Sequence, residues 1–188
     1  MAGHNSQFSI PSKYGPGHFS WGRIRSLYDA DAILHCQRCE AEGLRCPLEV
    51  FAQLFRETDS NEDFLVTIRT IDWGVVTWER REFSGVALRR VRVAEAREES
   101  LDEARDMATQ YGIMDNREEV VSHWRDAKTW LVPPIVVSGN LLGGGVGFEL
   151  LVGITRLGNL LGLLDREELA EAQGHSVWVG RRVTKKQV

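Results

Sequence analysis

The sequence lacks any long hydrophobic run, and this absence limits the class of protein. No stretch approaches the roughly 18 apolar residues that a membrane-spanning helix needs, and no apolar segment follows a positively charged start. Cysteine is also scarce, since Cys36, Cys39 and Cys46 are the only three. An odd number in a chain of this size does not fit a disulfide framework and suits a reducing compartment. We therefore expect a cytoplasmic protein that has no membrane partner.

Excess positive charge is missing as well. The formal net charge is −4, so the field of the whole molecule would not attract a phosphate backbone, and any contact with nucleic acid must be local. The 188 residues, 43% of them apolar, are enough for one substantial core. We expect a single domain over residues 31–180, a loose arm rich in glycine and proline over residues 1–30, and a basic tail over residues 181–188.

Local patterns predict several helices before the most apolar part of the chain. Ser100 and Glu103 have the spacing of a capping box, as do Asn116 and Glu119, and Ser60 is a further candidate cap. The segment 64–71 also fits a strand, although the cap favours a helix. The predicted helices span residues 47–57, 64–71, 101–111 and 116–128.

The segment 75–93 is rich in β-branched and aromatic residues and predicts two strands around a turn at Ser84-Gly85. Its arginines indicate either an exposed sheet face or a patch that faces phosphate. They are Arg80, Arg81, Arg89, Arg90 and Arg92.

Charged residues nearly vanish between positions 127 and 164, where only Lys128, Glu149 and Arg156 remain. The segments 133–137 and 148–152 are predicted to be neighbouring buried strands, joined by a glycine-rich loop. This part of the chain should be the core. A further strand is expected at 175–179, after a helix cap at Asp165-Arg-Glu-Glu168.

A glycine loop, Gly153-Ile-Thr-Arg156, carries the second strand into a helix whose leucines share one face. We expect Thr155 to cap this helix, so that the backbone donors of its first turn form an anion site with Arg156 beside them. The alternative is that Arg156 pairs with a carboxylate, such as Glu149 or Asp165.

At these residues the chain resembles the ParB/sulfiredoxin family of intracellular domains. The matching pattern is Pro-Pro-Ile-Val-Val, then Phe-Glu-Leu-Leu-Val, then Gly-x-x-Arg opening an apolar helix, and the resemblance covers residues 133–180. It implies an α/β (α+β) domain with a small mixed sheet and a helical N-terminal extension. In that family the glycine loop and the helix start bind the phosphates of a nucleotide, and some members act on DNA.

The resemblance implies that Gly153, Thr155 and Arg156 bind the phosphates of a nucleotide, together with Mg²⁺, or of a nucleic acid. Sulfiredoxins carry their reactive cysteine where this chain has Ile154, which excludes that chemistry. Partitioning proteins have Gly-Glu-Arg-Arg at this loop, whereas here Ile154 and Thr155 replace the middle pair, which puts nucleotide hydrolysis in doubt. If the domain is catalytic, phosphoryl transfer or phosphodiester cleavage fits best, and Glu149 is the nearest candidate carboxylate.

Two other hypotheses remain open at the level of sequence. The domain could be a protein-interaction module, such as an immunity or antitoxin-like protein, since it has six tryptophans and an acidic balance. Cys36, Cys39 and Cys46, together with His35, supply the ligand types of a zinc site. Because a second cysteine pair is missing, we predict that no zinc is bound.

Overall fold

The structure, a computed structural model, describes residues 36–37, 46–58, 71–143 and 145–182. Four strands form one sheet: β1 (Val76–Ser84), β2 (Ile135–Ser138), β3 (Phe148–Val152) and β4 (Gly174–Arg182). Five helices have both of their bounds within the described residues: α1 (Leu48–Thr58), α2 (Gly85–Leu88), α3 (Glu98–Tyr111), α4 (Glu118–Ala127) and α5 (Ile154–Asp165). Single 3-10 turns lie at Trp73–Val75, Glu95–Arg97 and Gly139–Leu141.

The sheet is mixed, with the strand order β1-β4-β2-β3. β1 runs antiparallel to β4 along its whole length, from Val76 opposite Arg182 to Ser84 opposite Gly174. β4 is parallel to β2, and β2 is antiparallel to β3. The predicted α/β (α+β) class with a small mixed sheet is confirmed.

Each face of the sheet has its own hydrophobic core, because neighbouring residues of a strand point to opposite faces. Val136 of β2 belongs to the core that contains the buried leucines of α5, whereas Ile135 and Val137 belong to the core that contains Val50 and Leu54 of α1. The predicted apolar face of α5 is confirmed, since its leucines at 157, 160, 161 and 164 are all buried.

The segment 75–93 does not form two strands. Only β1 is a strand, and the hydroxyl of Ser84 accepts a hydrogen bond from the Ala87 N–H, 3.3 Å away, to begin α2. The residues that follow α2 pair with the sheet through one isolated β-bridge, between Arg92 and Glu149. The local pattern was misleading because β1 pairs with β4, about 100 residues further along the chain.

Several predicted helix caps are wrong. α3 begins at Glu98 after Arg97, so Ser100 already lies inside the helix, and α4 begins after Arg117 instead of Asn116. Asp165 is the last residue of α5 and caps nothing that follows. The prediction for residues 47–57 agrees with α1 to within one residue, whereas Ser60 and the segment 64–71 lie outside the described residues.

The ends of the predicted domain can be compared only in part. Arg181 and Arg182 belong to β4, so the first two residues of the expected basic tail are sheet residues. Residues 183–188 and the expected N-terminal arm, 1–30, lie outside the described residues.

α3 packs against α5 at a distance that only small residues allow. A Cβ atom added to Gly158 would lie 2.5 Å from Cβ of Ala104, and one added to Gly162 would lie 2.7 Å from the carbonyl oxygen of Arg105. Both positions face backbone, which cannot move aside like the end of a long side chain. The helix pair is therefore fixed at close range.

We expect Gly158→Ala to destabilise the protein by about 1–3 kcal/mol through overpacking, although alanine is the better helix former. The free energy of unfolding in urea measures this change. Adding Ala104→Gly to the variant should recover part of the loss, because the two sites are coupled. A gain in stability for Gly158→Ala alone would show that the helices are not in close contact.

Candidate functional site

Gly153 forms the corner between β3 and α5. Its φ of 111° and ψ of 37° lie in the left-handed region that side chains disfavour, and it is the N-cap of α5. A Cβ atom at this position would lie 2.8 Å from Cβ of Pro134. Both the backbone angle and the close approach to Pro134 therefore require glycine here.

The first turn of α5 presents backbone donors at this corner. Leu157 donates the first hydrogen bond of the helix, to the Gly153 carbonyl at 2.9 Å, so the N–H groups of residues 154–156 have no carbonyl partner within the helix. Thr155 is exposed and makes no capping hydrogen bond, and the predicted Thr155 cap is wrong. The chain turns at Gly153, so Thr155 already has helical geometry and cannot act as the cap.

Arg156 ties the start of α5 to other parts of the chain. Its Nη1 donates to Oε1 of Gln53 at 2.7 Å and to the carbonyl oxygens of Val132 at 2.9 Å and Pro133 at 3.4 Å. The other edge of the guanidinium lies beside the corner, since Nε and Nη2 would each be 3.1 Å from a Cβ atom on Gly153. Arg156 thus supports the fold with one edge and borders the glycine corner with the other.

A pairing of Arg156 with Asp165 was the alternative expectation, and it is wrong. The carboxylate of Asp165 binds Arg89 at 2.9 Å and Arg105 at 2.6 Å, at the far end of α5. The hydrogen bond from Arg105, then that from Arg89, hold the pKa of Asp165 below its ordinary value in spite of burial. This network fixes the C-terminal end of α5, whereas Arg156 fixes its beginning.

Gln53 is a part of the site that the sequence analysis missed. It is 4% exposed, and its Nε2 donates to the Pro133 carbonyl at 3.1 Å while its Oε1 accepts from Arg156. The sequence does place Gln53 among apolar residues of the predicted helix, and a polar side chain in such a position generally has a hydrogen-bond partner. Its partner Arg156 lies 103 residues away, a distance that no local pattern spans.

Two further arginines lie on segments that contact β3 or α5. Arg97 donates from Nη1 to the carbonyl oxygen of Leu151 at 2.8 Å, two residues before Gly153. Arg117 forms a forked pair with Asp115, with Nε 2.9 Å from Oδ1 and Nη2 2.7 Å from Oδ2. Arg97 thus adds a positive charge close to the corner, whereas the charge of Arg117 is paired with that of Asp115.

The loop 112–117 is held against α5 by a buried amide. The N–H of Met114 donates to Oδ1 of Asn159 at 3.1 Å, and Nδ2 of Asn159 donates to the Met114 carbonyl at 3.3 Å. Burial acts to raise the pKa of Asp115, but the hydrogen bonds from Arg117 and the charges of Arg117 and Arg156 outweigh it, and the pKa is lowered. Asp115 is therefore ionised at neutral pH.

Glu149, the candidate catalytic carboxylate, is not brought to the helix start. It lies on β3 opposite Val137 and is half-buried. It precedes Gly153 by four residues, which at roughly 3.3 Å per residue separates the two by about 13 Å along the strand. The charge of Asp115, in contrast, interacts with that of Arg156.

Among the described residues, the cysteines do not form a metal-binding cluster. Cys36 and Cys46 are buried, with Sγ of Cys36 4.0 Å from the Cys46 carbonyl, while Cys39 lies outside the described residues. Within the described ranges, no three His, Cys, Asp or Glu side chains are placed to hold a metal ion. The absence of zinc stays a prediction.

The arginines of the segment 75–93 do not share one strand pair. Arg80 lies on β1, stacks over the Trp178 ring at 5.9 Å and donates to Oγ of Ser176 at 3.1 Å. Arg89 follows α2 and binds Asp165 and Glu171. Their charges are thus used in separate contacts within the chain.

Comparisons with protein-family models, with curated proteins and with solved structures each find no match to this chain. Among the described residues, no helix is long and apolar enough to cross a bilayer. The structure therefore defines a class of fold, an α+β domain with helices on both faces of a mixed sheet. The function has to be argued from the site.

Arg156→Ala should lower the free energy of unfolding by about 2–4 kcal/mol, because it leaves Gln53 and two carbonyl oxygens without their charged donor. Chemical denaturation measures the change. Arg125→Ala, on the exposed face of α4, is the matched control and should change stability by less than about 0.5 kcal/mol. Equal stability of the two variants would mean that the Arg156 contacts do not support the fold.

His175 should make folding sensitive to mild acid. It is fully buried, its Nδ1 lies 3.0 Å from Oγ1 of Thr129, and burial lowers its pKa from 6.5 to about 4. The unfolded chain takes up this proton first, so the stabilisation is complete above about pH 6.5 and is lost as the pH falls toward 4, by up to about 1.4 kcal/mol per unit.

Denaturation curves between pH 4 and 7 test this expectation, and His175→Gln should remove most of the slope. The carboxylates of Asp115 and Asp165 have lowered pKa values, so their contribution begins to be lost only as the pH approaches their ordinary value of 3.8, at the acidic end of this window. A native protein with the same slope as His175→Gln would contradict the role of His175.

Proposed function

We propose that this protein binds phosphate groups, of a nucleotide or of a nucleic acid, at the corner where β3 meets α5. The observation that carries the proposal is the geometry of Gly153, which starts a 12-residue helix directly after a strand and faces the Nε and Nη2 edge of Arg156. Such a corner combines backbone donors, the positive end of a helix dipole and a guanidinium.

The chemistry suits an oxyanion better than a neutral ligand. The N–H groups of residues 154–156 and the positive end of α5 favour negative charge, and a hydrogen bond to a charged group contributes about 1.5–3 kcal/mol. Arg97 adds positive charge close to the corner, since it donates to the Leu151 carbonyl two residues before Gly153. Because these groups attract an anion locally, such a site is compatible with the net charge of −4 of the whole chain.

The resemblance to the ParB/sulfiredoxin family supports the same site. The segments that carry it form β2, β3, the glycine corner and α5 in the expected order. The resemblance favours a nucleotide bound with Mg²⁺ in a cytoplasmic protein. If the domain is catalytic, the helix donors and Arg156 would neutralise charge in phosphoryl transfer or phosphodiester cleavage.

The alternative is a protein-interaction module that keeps the fold without ligand chemistry. One observation in its favour is that Nη1 of Arg156 already donates to groups of the protein itself, namely Gln53 and the Val132 carbonyl. It is also favoured by Ile154 and Thr155, which stand where the partitioning proteins of the resembling family have charged residues. Ligand titration of the native protein separates the two.

Thr155→Glu gives a test in which stability and binding should change in opposite directions. The side chain is exposed in the first turn of α5, so a carboxylate there should stabilise the helix by about 0.3–1 kcal/mol. The same charge should repel a phosphate and weaken binding about tenfold or more. Thr155→Gln, of equal size without the charge, is the matched control.

Calorimetric titration with the common ribonucleoside triphosphates, with and without Mg²⁺, and with a short duplex DNA measures the affinity. Thermal denaturation of the same samples measures the stability. If the native protein binds none of these probes, the interaction module becomes the better explanation. If Thr155→Glu binds a probe as tightly as Thr155→Gln does, phosphate binds elsewhere.

A further inference from the structure

β1 forms one edge of the sheet. Among the described residues, its hydrogen-bonded neighbour is β4 and no other strand. The outer side of an edge strand presents backbone N–H and C=O groups that can pair with a further strand. β1 is nine residues long, and all nine pair with β4 in one continuous register. The strand is therefore regular enough to pair along its whole length on its outer side as well.

Proteins usually protect such an edge against pairing with another molecule. The common devices within a strand are a short length, a proline, a β-bulge or charged side chains. β1 contains no proline, and its pairing with β4 has no bulge. Its charged residues are Glu79, Arg80, Arg81 and Glu82, and all four are exposed. Whether these charges oppose or favour the pairing depends on which residues they meet.

Two copies of β1 can pair around a two-fold axis. In such an antiparallel pair one residue lies opposite its own copy, and residues that are directly opposite share a face of the sheet. Arg80 is the middle residue of Val76–Ser84, so the register centred on Arg80 is the one that pairs all nine residues. This register places Glu79 of each copy opposite Arg81 of the other.

The full-length register thus brings opposite charges together twice on one face of the sheet. Directly opposite Cβ atoms lie about 4.5–5.5 Å apart, where opposite charges stabilise a strand pair and like charges destabilise it. Centring the pair on Glu79 or on Arg81 would leave residues of each strand unpaired and would lose both of these contacts. The order of the charges along β1 therefore favours the same register as its length.

Arg80 lies opposite its own copy in this register, but its charge is directed away from the axis. Its guanidinium lies over the ring of Trp178 at 5.9 Å, and its Nε donates to Oγ of Ser176 at 3.1 Å. Both partners belong to β4, on the inner side of β1. The two arginines are therefore drawn apart, each toward its own sheet.

The side chains of Glu79 and Arg81 are accessible to a second copy, since they are 49% and 45% exposed. Within the chain, Oε1 of Glu79 lies 3.2 Å from Nε of Arg181 and 3.8 Å from Nε of Arg81. The second of these distances is longer than a hydrogen bond, and a carboxylate has about four acceptor positions. The contacts within the chain therefore leave room for a pair between copies.

We propose that two copies of this chain join their β1 edges around a two-fold axis at Arg80, so that the two four-stranded sheets become one continuous sheet. Main-chain hydrogen bonds along the shared edge supply the affinity, and the pairs between Glu79 and Arg81 fix the register. The interface is separate from the proposed phosphate site, because that corner follows β3, the strand at the opposite edge.

Charge reversal tests both the dimer and its register. Glu79→Arg sets two arginines against each other at each contact, and Arg81→Glu sets two glutamates, so each variant alone should dimerise about tenfold more weakly or worse. An equal mixture of the two variants should dimerise again, because each contact then joins an arginine to a glutamate. Sedimentation over a range of protein concentrations measures the mass and the dissociation constant.

Matched controls separate this effect from a general change of charge. Glu103→Arg on α3 and Arg125→Glu on α4 make the same two reversals at exposed helical positions and should leave the dissociation constant unchanged. Recovery of the dimer in the mixture is a result that damage to either fold would not produce.

Each outcome decides the proposal. A native dimer that each β1 reversal weakens and that the mixture restores supports it. A native protein that sediments with the mass of one chain at every concentration overturns it. A dimer that either reversal leaves intact, or that the mixture does not restore, shows that the copies do not join through β1 in this register.

Discussion

The guanidinium of Arg156 joins parts of the chain that are far apart in sequence. From the first turn of α5 it reaches Gln53 on α1 and the carbonyl oxygens of Val132 and Pro133, just before β2. These contacts bring α1, β2 and α5 to one point at the edge of the core. Removing the charge would leave buried acceptors without a donor, which costs more than the net gain of making such bonds.

This arrangement places two demands on one residue. Nη1 serves the fold, whereas Nε and Nη2 lie against the Gly153 corner, where an anion would be bound. A guanidinium can meet both demands because its donors point in different directions within one rigid plane, which the ammonium group of lysine cannot do. If the proposed binding takes place, stability and binding would be coupled at Arg156, and its substitution could not separate them. Substitution of the neighbouring exposed Thr155 could.

The parts of the fold that the sequence predicted are those in which local pattern and burial agree. β2, β3 and α5 lie in a stretch almost without charge, and their apolar residues follow the periods of strand and helix. The pairing of β1 with β4 was missed because it joins distant segments, and the strands themselves carry charge. The capping patterns failed at Ser100 and Asn116, because such short pairs occur often and hydrogen bonds elsewhere decide where a helix begins.

The site was predicted only as far as its backbone. The glycine corner follows from a strand that must turn at once into a buried helix, whereas the roles of Gln53 and Asn159 depend on contacts across the core. Asn159 did carry a signal, since it is the one polar residue between Leu157 and Leu164. Without the position of Met114, however, its partner could not be named.

The close contact between α3 and α5 explains how that partner comes within reach. The loop that contains Met114 follows directly after α3. The distance between this loop and α5 therefore depends on how closely the two helices approach each other. Gly158 and Gly162 meet Ala104 and Ala108 with almost no space between the backbones. Larger residues at positions 158 and 162 would push α3 away from α5. Because the side chain of Asn159 is short, its amide would then no longer reach the loop. The same small residues that let the helices pack therefore determine whether Asn159 can bind the main chain of Met114.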